Sequence, residues 1–368
     1  MDKKIKVHII GTHGVPARYG GLETLADFLC RHLNQDFDIT VYCNAHKYPE
    51  KIKEYYGAKL KYLNIEANGF KGIFYDLITY IQSLGEANVI LYLSPVGSGF
   101  MTPLKFFTKT KVIVNHGGLN EWEREKLNKW QRIWAKFNHY VASMCSDVNI
   151  ADSSLYKKSL KDTFNAASVV IKYGGDHVNI IERNDVRFSD KYPFVFNGDK
   201  YAVSVSRAQL DNNIHLVLEA FEKFSEYKIV LISNWNISEY GKKLRQKYIN
   251  HPNMILLDVI YEKNELDYIR SNAYVYVHSH SRCGTAPTLV EAMSLGLAVI
   301  SYDTPVNHET THNQACFFDN SDTLVNLLLN ISENQRATVA LIMKNIAQSE
   351  YQWKTIAEQY KNLINSFF

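Results

Sequence analysis

A chain of 368 residues is longer than one hydrophobic core usually supports, so two domains are expected. Apolar residues make up 46% and charged residues 21%, which suffices for two cores and carries no signature of disorder. The net charge of +3 argues neither for nor against nucleic acid, and no long basic run suggests it; the five cysteines, at 30, 43, 145, 283 and 316, show no Cys-x-x-Cys or Cys/His ligand spacing, so neither a disulfide framework nor a zinc site is expected.

The opening Met-Asp-Lys-Lys-Ile-Lys-Val lacks the apolar core and cleavage site of a signal peptide. The longest apolar stretches, such as 88–101, are broken by Pro and Gly and are too short to span a bilayer. A cytoplasmic protein with at most peripheral membrane contact is expected, and the cysteine usage suits a reducing compartment. Lys6 to Ile10 reads as a buried strand, followed by a glycine-rich loop, 11–21, and by Leu22, Leu25, Phe28, Leu29 and Leu33 at helical spacing. This is the first unit of a Rossmann-like domain. The loop carries neither the dinucleotide fingerprint nor a P-loop. Gly20 and Gly21 either let a ligand approach the backbone or serve a tight strand-to-helix turn.

Further strands are expected at 39–43, 60–64, 89–93, 112–115, 148–151 and 168–171, then at 201–205, 228–232, 254–257, 273–278 and 298–301. Helical patterns lie between most of them, so both sheets should be mainly parallel. The polar segment 176–200 separates the two sets. The boundary falls near Tyr173-Gly174-Gly175-Asp176, giving domains 1–172 and 173–350 and a last helix, 351–368, marked by Trp353, Ile356, Tyr360, Leu363 and Ile364. His116 closes the 112–115 strand and is followed by Gly117, Gly118, Leu119, Asn120, Glu121 and Trp122. Solitary histidines are commonly structural, but one at a strand end can meet a substrate. From Trp122 to Phe137, the residues Trp130, Ile133, Trp134 and Phe137 share a helical face flanked by Lys129, Arg132 and Lys136. Such a helix either packs into the first domain with solvated charges or rests on an anionic membrane surface.

The second domain holds the densest signal. Arg207 sits just past the 201–205 strand, where a guanidinium grips a diphosphate or makes a surface ion pair. Between Ser281 and Tyr302 a glycine turn and Pro287 lead into an apolar helix carrying Glu291. A helix start presents unpaired N–H groups to an anion. Thr288 and Glu291 also fit a Ser/Thr-x-x-Glu capping box, which would make both structural.

The Gly-Thr-Ala-Pro-Thr-Leu-Val-Glu-Ala-Met run resembles the donor-binding segment of the retaining GT-B glycosyltransferases of family 4, and Tyr-Gly-Gly-Asp resembles the element entering their second domain. The Pro-Ala-Arg-Tyr-Gly-Gly string and the segment around Asn115–Trp122 are similar to a branch containing bacterial β-rhamnosyltransferases of capsule and cell-wall synthesis. The chain departs from the family at Cys283, where the first of two Glu residues stands, at Asn212, where a Lys stands, and at Gly117, where the branch has Asp. The resemblance implies a GT-B α/β fold: two Rossmann-like domains facing each other across a cleft, with the final helix returning to the first. It implies a donor site of Gly20, Gly21, Arg207, Gly284, Thr285, Ala286, Thr288 and Glu291, an acceptor side of Arg18, Tyr19, Glu121 and Trp122, and catalytic roles for Arg207, Glu291 and His116. It further implies a nucleotide sugar, dTDP-L-rhamnose or a UDP-linked one, as co-substrate and a polyprenyl-diphosphate-linked glycan as acceptor, at the inner face of the plasma membrane, with no cofactor and no metal. A GT-B nucleotide-sugar epimerase and a non-catalytic sugar-binding subunit are the alternatives.

Overall fold

The computed structural model describes residues 4–18, 20–65, 69–100, 104–105, 108–117, 121–123 and 127–368. The chain divides into two units: one runs up to Lys172 and adds Trp353–Phe368, the other is Tyr173–Gln352.

The first unit is built on an eight-stranded sheet. Its strands are β1 (Lys6–Ile10), β2 (Asp38–Asn44), β3 (Glu54–Tyr55), β4 (Ala58–Leu63), β5 (Val89–Tyr92), β6 (Lys111–Asn115), β7 (Val148–Ala151) and β8 (Val169–Val170), in the order β3-β4-β2-β1-β5-β6-β7-β8. All neighbours are parallel except the β3–β4 hairpin. Central strands such as Val89–Tyr92 are buried along their whole length, which is why they read as unbroken apolar runs rather than alternating ones. The β3 strand was not expected. It exists because Tyr56 and Gly57 both take positive φ, 46° and 78°, and turn the chain back in a two-residue hairpin.

The second unit carries β9 (Tyr201–Val205), β10 (Lys228–Ser233), β11 (Met254–Asp258), β12 (Val275–His278), β13 (Val299–Tyr302) and β14 (Cys316–Phe318), ordered β11-β10-β9-β12-β13-β14 and parallel throughout. Its core, including Val203, Leu231, Val277 and Ile300, is fully buried. Only β14 was unforeseen here: it is an edge strand of three residues, two half-buried and Phe318 buried, and lacks a long apolar run.

The last helix, Trp353–Asn365, packs on the first unit. Trp353 stacks on Phe28 at 4.6 Å between centroids, Asn115 Nδ2 donates to the Tyr360 hydroxyl at 2.8 Å, and Lys361 pairs with Asp36 at 2.7 Å. Burying Trp353, Ile356, Tyr360 and Ile364 contributes roughly 1.5–3 kcal/mol per side chain. The helix expected within 122–137 starts later, at Lys129, and runs to Cys145. Asn128 caps it with a reciprocal bond to Gln131, and Trp122 lies in a separate 3₁₀ turn, Glu121–Glu123.

Candidate functional site

Helix Pro287–Ser294 follows β12 through the loop 279–286. Its N-cap is Ala286, whose side chain has nothing to donate or accept, and Pro287 occupies the first helical position. No capping box forms. Thr288 therefore sits inside the first turn, with its buried hydroxyl beside that of the core residue Tyr276. Pro287 carries no N–H and the Leu289 and Val290 amides donate to the Ala286 carbonyl at 3.0 and 3.2 Å, so this turn offers an anion the Thr288 amide and the positive end of the helix dipole.

Glu291 lies one turn further on, held from two sides. Its Oε2 accepts from the buried guanidinium of Arg270, and its Oε1 is 3.1 Å from His177 Nε2. Arg270 in turn donates to Asp267 Oδ1 at 2.6 Å, and Asp267 Oδ2 accepts from Lys263 Nζ at 2.6 Å and from the Asn179 amide at 2.9 Å. Burial alone would raise the Glu291 carboxyl, but Arg270 and His177 outweigh it and hold the group at about 2. The carboxylate is thus ionised and fixed, with 13% of its side chain still exposed for a ligand hydroxyl.

None of Arg270, Asp267 and His177 was picked out from sequence. A signal for His177 was present in Gly174-Gly175-Asp176-His177. A Cβ on Gly175 would stand 2.5 Å from the Val290 carbonyl oxygen, so glycine lets the linker lie against the helix and place His177 on Glu291.

Arg207 is exposed, just beyond β9. Its carbonyl accepts from Asn212 Nδ2 at 2.8 Å, so Asn212 is a buried loop brace. The same loop is tied to the one after β12: the Ser279 hydroxyl donates to the Asn212 carbonyl at 2.5 Å, and the Ser281 amide and hydroxyl both donate to the Asp211 carbonyl at 2.9 Å. Gly284, Thr285 and Ala286 are buried where this loop meets the helix. Arg207, Gly284, Thr285 and Ala286 belong to the loops, and Thr288 and Glu291 to the helix, that follow the carboxyl ends of adjacent strands β9 and β12, where open α/β sheets bind ligands.

The first unit gives a mixed result. Gly20 has extended backbone and a Cβ there would meet only Glu23 Oε2, at 3.4 Å, so the fold itself does not demand glycine; Gly21 opens helix Gly21–Leu33. Arg18 is exposed and its guanidinium lies 5.2 Å over the Tyr48 ring. Tyr19 and the side chain of Glu121 lie outside the described residues.

His116 and Trp122 correct the expectation. His116 is 1% exposed, with Nε2 2.7 Å from Asn149 Oδ1 and Nδ1 3.3 Å from His139 Nδ1, and burial lowers it to about 4. Trp122 is buried against His139 and Phe164, at 4.9 and 5.3 Å. Both side chains are core, because the strand end at Asn115 is roofed by helix Lys129–Cys145. A residue not foreseen is Asp76, whose carboxylate accepts from the Tyr92 hydroxyl at 3.0 Å; burial lifts it to about 7 despite that bond and one from the Gly97 amide.

Residues 187–350 match the family described as Glycosyl transferases group 1, and residues 4–176 match a domain of unknown function, DUF1972. The chain is 23% identical to an uncharacterized glycosyltransferase of Methanocaldococcus jannaschii, with 98% of each chain covered. In structure it is similar to a sucrose-phosphate synthase of Thermosynechococcus elongatus, with TM-score 0.81 and 14% identity over 99% of both chains. It is likewise similar to Anabaena HepE in complex with UDP-glucose, with TM-score 0.75 and 14% identity over 99% of this chain and 100% of that one. The architecture of the chain is that of the GT-B fold.

Proposed function

We propose that the protein is a retaining, metal-independent glycosyltransferase of bacterial capsule or cell-wall polysaccharide synthesis. It moves a sugar, L-rhamnose from dTDP-L-rhamnose in the first place and a UDP-linked sugar as the variant, to a glycan carried on polyprenyl diphosphate. The observation that carries this reading is the start of helix Pro287–Ser294: the positive end of a helix dipole behind a buried Gly284-Thr285-Ala286 loop, one turn before a rigidly held carboxylate. A helix start of this polarity suits a diphosphate, and an ionised carboxylate suits the paired hydroxyls of a ribose. That HepE is described in complex with UDP-glucose supports a nucleotide sugar on this fold.

In this reading Arg207 and the helix start take up the charge that grows on the departing diphosphate, Gly284, Thr285 and Ala286 line its path, and Glu291 anchors the ribose. The acceptor hydroxyl bonds to the anomeric carbon on the face the diphosphate leaves, and a phosphate oxygen of the leaving group takes its proton. No protein nucleophile is required. Gly20, Gly21 and Arg18 are the first unit's candidates for contact with a substrate; His116 and Trp122, being core, have no part. The exposed apolar face of helix Lys129–Cys145 supports peripheral contact with the membrane that carries the acceptor. No helix among the described residues is long and apolar enough to cross a membrane.

A thermal-shift panel of nucleotide sugars tests the reading, because a ligand that binds the folded state raises its melting temperature. A rise with one nucleoside-diphosphate sugar, lost in Glu291→Ala, is expected. No response to any of them overturns it. Incubation of the responding donor without acceptor separates transfer from epimerisation, since only an epimerase isomerises the sugar unaided.

A further inference from the structure

We propose that His278, His280 and Cys283 form a binding site for one thiophilic d¹⁰ cation, with Zn²⁺ as the reference ion. One nitrogen from each imidazole and the Cys283 sulfur all lie within 4.8 Å of one another. Tetrahedral ligands about 2.0–2.3 Å from zinc stand roughly 3.3–3.8 Å apart, so closing around an ion requires movement on the order of 1 Å. His280 and Cys283 are only partly buried and have room for that adjustment.

The second observation is independent of the spacing. His278 ends β12, is 1% exposed, and has both ring nitrogens buried without a hydrogen bond. A buried polar side chain is normally satisfied, and an imidazole with two idle nitrogens is costly unless a lone pair is donated to something. Its ring lies 4.4 Å from that of His280. The extended chain leaving β12 explains the pairing, since residues two apart project to the same side.

Ser279 and Ser281 are tied to the carbonyls of Asn212 and Asp211, and Asn307 Nδ2 donates to the His280 carbonyl at 3.0 Å. Asn307 Oδ1, 3.9 Å from Cys283 Sγ, is the neighbouring acceptor. Two imidazoles and a thiolate favour zinc or copper(I) over magnesium or calcium, which take oxygen ligands. Three protein ligands leave a fourth position for water or a ligand atom. The sequence pattern is His-x-His-x-x-Cys, outside the paired-cysteine spacings that commonly announce zinc, which is why composition argued against a site. The ion would clamp the loop that feeds helix Pro287–Ser294, apart from the transfer chemistry proposed above.

The test is metal analysis of the purified full-length chain after dialysis against Zn²⁺, together with Co²⁺ titration read by thiolate-to-cobalt charge-transfer absorption. One equivalent per chain and a charge-transfer band are expected. Cys283→Ser should abolish the band and weaken zinc at least tenfold, and His280→Asn should weaken it similarly, with circular dichroism of both metal-free variants unchanged. Binding well below one equivalent, or binding indifferent to both substitutions, overturns the proposal. The outcome is separable from donor binding, because the nucleotide-sugar thermal shift is read on the metal-free chain.

Discussion

Glu291 is held by a guanidinium on one side and an imidazole on the other, and that arrangement separates two roles a variant would otherwise confuse. Glu291→Gln keeps the shape and removes the charge. Donor affinity should fall by on the order of 1–3 kcal/mol, about tenfold to a hundredfold in Kd by calorimetry, if a charged hydrogen bond to ribose is lost. Arg270→Met acts instead on the fold: it leaves Asp267 and Glu291 facing each other without the buried cation between them. Chemical denaturation should show a loss of about 3–5 kcal/mol. The carboxylate at 291 was legible from the helix-start pattern. Arg270 was not, because it lies 21 residues away on helix Lys263–Ser271 and nothing in the spacing ties the two together. His116 illustrates the reverse error, since a strand-end position says nothing about what roofs it.

At the scale of elements, helix Lys129–Cys145 divides lengthwise. Its later part buries Asn138, His139, Val141 and Ala142, while Trp130, Ile133, Phe137, Tyr140 and Met144 form an exposed stripe, with Trp130 77% exposed. The packed-helix reading thus holds for one end only. Lys129, Arg132 and Lys136 beside the stripe complement an anionic surface. Flotation with vesicles containing anionic lipid should carry the protein upward, and Trp130→Glu with Ile133→Glu should abolish this without altering the melting temperature. Absence of flotation in the unmodified protein removes the membrane role. The opening segment of the second unit is equally exacting. Gly175→Ala would push a methyl group into the Val290 carbonyl, costing about 1–3 kcal/mol in denaturant unfolding and shifting His177 off Glu291.

For the molecule as a whole, the two units respond to pH in opposite senses through their buried carboxyls. Glu291, held at about 2 against an ordinary 4.5, stabilises the folded second unit above pH 4.5, and that contribution is lost as pH falls toward 2. Asp76, raised to about 7, favours the folded first unit below about pH 4 and loses that contribution as pH rises through 7. Between pH 5 and 8 only the first unit should therefore weaken from these groups. Asp76→Asn should remove this dependence and stabilise the first unit at pH 8 by on the order of 1–2 kcal/mol, read as the pH profile of the melting transition.

Strand runs of Val, Ile and Leu, glycine turns and the β-α alternation determined two parallel sheets, the break near Tyr173 and the helix start at Pro287, because burial on both faces of a parallel sheet writes itself into contiguous sequence. The short edge strands β3 and β14, the burial of His116 and Trp122, and the Asp267–Arg270–Glu291–His177 chain were decided only by tertiary structure. Local periodicity reports which face of an element is apolar. Which polar groups meet, and which are roofed over, depends on packing between segments far apart in the chain, and no single window of residues contains that information.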